Sequence, residues 1–443
     1  MPTAIFIPLA LLTVGILLGV SSLLLKLHMV SAEMARKIVH IGMGLVCLGF
    51  PLLEVSTTAV VLLTFIASAV LLLIRLTKAS NPFASALFSV DRSSSGELLF
   101  PIAVAWVYAA SAGNTVLYII PVLVLTLSDA AGALVGTRYG AEKYQCSNGT
   151  KSVEGSATFF LVTFLAIHIP LLLLSDTGRP ECLLIALVIS GFITAVEGMS
   201  GKGTDNILVP IGTYFLLDRY LPMGSAELIG RGLALGAILL ILLATRKMTT
   251  LNGGAMLAAL LYGFGALHLG GVVPLVSLLL LFALHVATSG KLKKADYHKP
   301  TRHTSNQIVA LALPALGWLL TARSGVIAPT WGPLGFCLTT AFQAGLLHIG
   351  ILAPDTNLRK PPLSVILKSL IVAAPMLHIV EPLTFGSLML LVAGAAWGCA
   401  VLFRAWRLPM QPDDPLNGWV KLTLVATTAS IAVYLVAQLP VAI

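Results

Sequence analysis

The chain has 443 residues, 57% hydrophobic and 10% charged, with mean hydropathy +0.96 and formal net charge +9. Soluble domains carry about 25% charged residues, so this composition excludes a water-soluble fold. The recurring apolar runs predict an all-α, polytopic integral membrane bundle, do not alternate as barrel strands would, and carry the basic residues between them, which argues against a nucleic-acid surface.

Sixteen apolar runs are predicted to span the membrane: 4–25, 38–54, 58–75, 98–112, 115–136, 156–175, 181–197, 207–222, 227–245, 253–270, 272–289, 306–322, 331–353, 363–380, 384–403 and 417–440. The first begins directly at Ile5 and is read as a span, with no cleavage site or transit segment. With the N-terminus outside, 22 of the 27 basic residues fall in inside connections. Only Arg179, Arg219, Arg231, Arg323 and Lys421 fall outside, and the reverse orientation inverts that ratio. The inside then corresponds to the cytoplasm, and the expected location is a bacterial cytoplasmic membrane. The short run 207–222, ending in Asp218 and Arg219, must cross to keep the basic loop Lys291–Arg302 inside.

Four polar motifs interrupt the apolar chain, and this topology puts all four on the inside. The first, Glu33–His40, carries Arg36, Lys37 and His40. Arg36 and His40 share a helix face that could meet a nucleotide or a lipid headgroup, although a belt of interfacial charges needs no further role. In the second, Asp91–Pro101, Glu97 opens a span after a Ser-rich loop and serves either as a cap or in a site.

The third runs from Ser128 to Ser156. Asp129 lies about 13 Å along a helix axis from Arg138, below the headgroups, where an ionisable side chain is costly. Its neighbours Ala130, Ala131, Gly132, Ala133 and Gly136 permit close approach of a helix or ligand. Asp129 is then a Mg²⁺ ligand, a base for a lipid hydroxyl, or a hydrogen-bonded packing residue. In KSVEGS, Ser152 is predicted to cap a helix starting near Val153. The exposed amides there, with Lys151 and Gly155 beside them, suit a nucleotide phosphate. Glu154 holds metal or favours the helix dipole. The spacing of a nucleotide-binding P-loop is absent, because Gln145 and Thr150 occupy its glycine positions.

The fourth, Glu197–Pro210, joins a carboxylate at the end of an apolar span to a loop containing Gly198, Gly201, Lys202 and Gly203. Its glycines allow close backbone approach to a ligand. Thr204 or Asp205 is predicted to cap the next helix. Asp129, Glu197 and Asp205 together form a carboxylate set for one or two divalent ions. The five cysteines show no metal or disulfide spacing. His168, His268 and His348 read as structural.

RKxxH, LSDAAGALVGTRYG, KSxEGS and ExxxGKGTDNxxVP, in this order, resemble the CTP-dependent polyprenol kinase family of phytol kinase, dolichol kinase and CTP-dependent diacylglycerol kinase. The likeness covers roughly residues 1–245. KSxEGS with the acidic Gly-rich loop is shared more loosely with phosphatidate cytidylyltransferases. The resemblance implies CTP (or ATP) as phosphoryl donor with Mg²⁺, a long-chain lipid alcohol as acceptor, and Asp129, Lys151, Glu154, Glu197 and Asp205 as active-site positions. Residues 246–443 form a second unit. MTTLNGGAMLAALLYG and the stretch from Leu284 to Leu311 resemble the phytyl phosphate kinase family. LTTAFQAGLLHIG lacks that family's acidic residues, so a degenerate or structural partner domain is expected. The rival functions are CDP-lipid synthesis and transport. A transporter predicts charges near the membrane midplane and two related halves, neither of which the sequence shows.

Overall fold

The computed structural model describes residues 2–76, 95–146, 149–201, 203–294, 303–352, 363–405 and 415–438. Asp91, Lys202, most of the basic loop before His303, and the acids Asp296, Asp355, Asp413 and Asp414 lie outside them.

The described residues form two compact units, Met1–Leu235 and Gly236–Ile443. The division falls inside a helix, nearly three turns before the boundary at 245 drawn from the motifs. The first unit contains α1 (Thr3–Lys26), α2 (Ala32–Leu48), α3 (Thr57–Leu76), α4 (Gly96–Ala110) and α5 (Thr115–Tyr139). A hairpin of β1 (Lys143–Cys146) and β2 (Gly149–Ser152) follows, then α6 (Val153–Leu174), α7 (Arg179–Met199), α8 (Asp205–Tyr220) and α9 (Ser225–Thr245), in which the division lies. The second unit continues with α10 (Gly253–Gly270), α11 (Val272–Lys294), α12 (Ser305–Arg323), α13 (Trp331–Leu352), α14 (Leu363–Ala373), a 3-10 turn (Ala374–His378), α15 (Pro382–Ala405) and α16 (Pro415–Ala437).

Each predicted run overlaps one of these helices, yet among the described residues ten helices are long and apolar enough to cross a membrane, against the sixteen spans expected. The reason is local. The run predicted at 38–54 is instead a helix starting at Ala32, and it therefore takes in Glu33, Arg36 and Lys37. The run at 207–222 is a helix of 16 residues holding Asp205, Asp218 and Arg219. Helix α4 and the segment Leu363–His378 are apolar but shorter. The hairpin is the departure from an all-helical chain among the described residues.

In the first unit α5 is central, packing on α2, α4, α6 and α8. Asn114 starts it, its side-chain oxygen accepting from the amides of Val116 and Leu117 at 3.1 and 3.2 Å, which satisfies donors that a helix start leaves open. Ser31 does the same for α2 through Met34. Where α2 crosses α5, a Cβ on Gly44 would stand 2.0 Å from Thr126 Oγ1, so only glycine permits that crossing. Buried aromatic residues fill the interior, among them Phe6, Phe50, Phe100 and Tyr118. The Tyr118 hydroxyl donates to the carbonyl of Cys47 at 2.8 Å, so its burial leaves no polar group stranded.

Candidate active site

Two lysine–carboxylate pairs build the polar centre of the first unit. In one, Lys37 of α2 reaches Asp129 of α5. Its Nζ lies 2.6 Å from Asp129 Oδ2 and 3.3 Å from the Asp129 carbonyl oxygen. Lys37 is 2% exposed, so this ammonium is taken out of water almost completely. His40, one turn further along α2, places Nε2 3.5 Å from the same Oδ2 and 3.0 Å from the Leu125 carbonyl. Both contacts engage Oδ2, leaving Asp129 Oδ1 outside them. Arg36 turns instead to Glu33, 2.7 Å away on its own helix.

In the second pair Lys151, at the end of β2, lies 2.7 Å from Glu197 Oε1 and also donates to the Glu197 carbonyl at the end of α7. Burial alone would lower the Lys151 pKa, but the Glu197 and Asp205 carboxylates outweigh it and hold the pKa above its ordinary value. The hairpin aims this lysine. Lys151 stands directly opposite Tyr144, and Lys143 opposite Ser152, so Tyr144 and Lys151 share one face. The Tyr144 hydroxyl is 2.7 Å from Ser156 Oγ. Burial, then the Glu197 charge, raise its pKa.

Ser152 caps α6 as its position predicts, accepting from the Gly155 amide at 3.1 Å. Glu154, in the first turn, accepts from the Glu142 amide at 3.1 Å and ties the hairpin to the helix. Gly155 has a packing role. A Cβ there would lie 2.9 Å from the Gly132 carbonyl oxygen and 3.0 Å from Gly136 Cα, both backbone atoms of α5. The small residues of SDAAGALVG and EGS thus let α5 and α6 meet backbone to backbone, which sets Asp129 and Lys151 on neighbouring elements.

At the start of α8 the N-cap position is Thr204, whose hydroxyl makes no cap bond and donates instead to the Gly201 carbonyl at 2.9 Å. Gly203 adopts a φ of +83°, a conformation that disfavours a side chain. Asn206 donates from Nδ2 to the Gly96 carbonyl at 2.8 Å, tying the start of α8 to the start of α4. Asp205 and Glu97 therefore belong to one neighbourhood, and the charge of each acts within it. Asp205 and Asp129 both act on Glu197, and Asp205 and Arg36 on Glu97. The second carboxyl oxygen of Glu97 is buried with no hydrogen-bond partner among the described residues.

Asp129, Lys151, Glu197 and Asp205 thus belong to one electrostatic network, with Arg36 and His40 at its α2 side. Lys202 lies outside the described residues. Among the described residues no three His, Cys, Asp or Glu side chains converge as a ready metal cluster, so Asp129, Glu197 and Asp205 are coupled by charge without forming a closed cage. Sequence reasoning did not single out Tyr144, took Lys37 only as part of a belt of interfacial charges, and left Glu97 as either a cap or a site residue. The signal for Lys37 was present in its three-residue spacing from His40, which puts both on the face that meets α5.

A stretch of 220 residues, 48% of this chain, is 32% identical to phytol kinase of Synechocystis sp., and covers 90% of that protein. No family model and no solved structure matches. At that identity and coverage, and with the four motifs gathered as described, the chain belongs over about half its length to the phytol kinase family.

Proposed function

We propose that the first unit phosphorylates a long-chain lipid alcohol, phytol or a related prenol, with CTP as donor, at the cytoplasmic face of the membrane. The observation that carries this reading is the meeting of two Lys–carboxylate pairs, Lys37–Asp129 and Lys151–Glu197, in one charged network within a bundle of apolar helices. Ammonium groups beside helix termini suit nucleotide phosphates. The apolar helices around the network suit a lipid acceptor whose hydroxyl sits at headgroup depth.

In this reading Lys151 and the Ser152-capped start of α6 hold the nucleotide phosphates, with the backbone of Gly201 and Gly203 beside them. Glu197 anchors Lys151. Lys37 and His40 fix one oxygen of Asp129, so the other is presented in a single orientation. That oxygen meets the acceptor, taking the hydroxyl proton, or meets a cation. The residues suit a magnesium ion carried mainly by nucleotide phosphates, which needs only one or two protein carboxylates. Asp129, Glu197 and Asp205 are the carboxylates for it. When bound, such an ion neutralises charge on the transferring phosphoryl group. The hydroxyl oxygen forms a bond to the γ-phosphorus as the bond to the β-phosphate oxygen breaks, leaving CDP and a lipid monophosphate. Most of the rate then comes from positioning and charge compensation.

The test incubates purified protein with CTP or ATP and a panel of phytol, longer prenols and diacylglycerol, and identifies both products. CDP with a prenyl monophosphate is the expected result. Pyrophosphate with a CDP-lipid would replace the kinase by a cytidylyltransferase. No turnover with any alcohol would remove the reading.

A further inference from the structure

Tyr144 is a group of the hairpin that the kinase reading leaves without a task. It stands opposite Lys151 in the antiparallel pair, so both side chains leave the same face. Its hydroxyl lies 2.7 Å from Oγ of Ser156, in the first turn of α6, and makes no second hydrogen bond among the described residues. The charges of Glu197 and Lys151 both act on it. With its pKa held above the ordinary phenol value by burial and then by Glu197, the hydroxyl keeps its proton throughout the neutral range.

Counting protons shows what this face can offer. Two hydroxyls carry two protons, and the bond between Tyr144 and Ser156 uses one of them, so the other is left for a third group. An ammonium carries three, and Lys151 spends two on the side chain and the carbonyl of Glu197. One O–H and one N–H therefore remain on the same face of the hairpin. The backbone beside them has less to give. The Val153 amide donates to the Glu142 carbonyl at 2.8 Å and the Gly155 amide to Ser152 Oγ at 3.1 Å. Two of the first three amides of α6 are thus committed within the protein, and an anion next to Lys151 must draw donors from side chains.

We infer that the Tyr144 hydroxyl donates to a nonbridging phosphate oxygen of the nucleotide, beside the remaining N–H of Lys151, and that Ser156 donates to Tyr144 and holds the phenol in place. The phenol is the more acidic of the two hydroxyls and so the better donor to an anion. Tyr144 is then a binding residue and Ser156 a positioning residue. The inference rests on the kinase reading, which puts the nucleotide phosphates at Lys151. What the pair recognises is the polyphosphate, with no contact to base or sugar, so inorganic tripolyphosphate carries the chemistry by itself.

The full chain in detergent is titrated with inorganic tripolyphosphate and magnesium by calorimetry, and turnover is followed with CTP and phytol. Tyr144→Phe, which keeps the ring, should weaken tripolyphosphate binding about tenfold, the factor that one hydrogen bond to a charged group supplies. It should raise the KM for CTP and leave that for phytol unchanged. Ser156→Ala should cost about threefold, the low end for a neutral hydrogen bond, and nothing further in the Tyr144→Phe background. Ser156→Thr, which keeps the hydroxyl, should bind as wild type does. Wild-type binding that Tyr144→Phe leaves within about twofold, or turnover by that variant with an unchanged KM for CTP, overturns the inference and leaves the kinase reading standing. Should Tyr144→Phe fail to fold, equal binding by Ser156→Ala and Ser156→Thr overturns it instead. Wild type that neither binds tripolyphosphate nor turns over removes the kinase reading and the inference together.

Discussion

Lys37→Met removes the ammonium that lies 2.6 Å from Asp129 Oδ2 and 3.3 Å from its carbonyl oxygen. Lys37 is 2% exposed and Asp129 18%, so the stranded carboxylate keeps little water. Breaking a buried pair by removing one partner costs about 3–5 kcal/mol. His40, 3.5 Å from the same oxygen, and the residual exposure of Asp129 put the expected loss at the low end, about 3 kcal/mol. Lys37→Met combined with Asp129→Asn removes both charges, and about 2 kcal/mol of that loss should return. Denaturant unfolding in one fixed detergent measures wild type, each single variant and the double variant. The reasoning fails if Lys37→Met lies within about 0.5 kcal/mol of wild type, the spread of ordinary neutral substitutions. It fails equally if the double variant is no more stable than the single one.

Other consequences follow from the same geometry. Gly155→Ala forces a Cβ against two backbone atoms of α5 and should cost about 1–3 kcal/mol, with turnover lost as the helices separate; unchanged melting would contradict that contact. Asp129→Asn should lower kcat by about a hundredfold or more while the protein remains folded, as read by turnover and near-ultraviolet circular dichroism. His303 in the second unit is held down to about 4 by burial and then by His285. The unfolded chain therefore binds the extra proton between about pH 6.5 and 4, so stability falls as pH falls through that window, by about 3 kcal/mol. His303→Phe should flatten that slope in unfolding curves taken at pH 7 and 4.5.

Much of the helical framework was legible because apolar runs of span length are a strong signal. The signal weakened where charge enters a helix. Reading the span from its apolar part alone moved its start to residue 38 and left Lys37 among the inside charges before it, when Ser31 caps a helix that carries Lys37 inward. The hairpin was invisible for a different reason. KYQC and GTKS are four-residue strands with no apolar face to reveal alternation, and the backbone bond from Val153 to the Glu142 carbonyl and the Ser152 cap of α6 lie beyond any local pattern. Asp129, Lys151 and Glu197 stood out as costly charges beside apolar spans. Their pairings did not, because Lys37 is 92 residues from Asp129 and Lys151 is 46 from Glu197. No local pattern encodes such pairs. Glu97 read equally well as a cap, and only the tie from Asn206 to Gly96 places it beside Asp205.

The most direct measurement follows the label from CTP into the lipid. Wild-type protein, Asp129→Asn and Glu197→Gln are each given phytol with CTP labelled at either the α- or the γ-phosphorus. The account predicts that wild type moves only the γ-label into a lipid monophosphate and that both variants move almost none. Entry of the α-label into lipid, or undiminished γ-transfer by either variant, would contradict it.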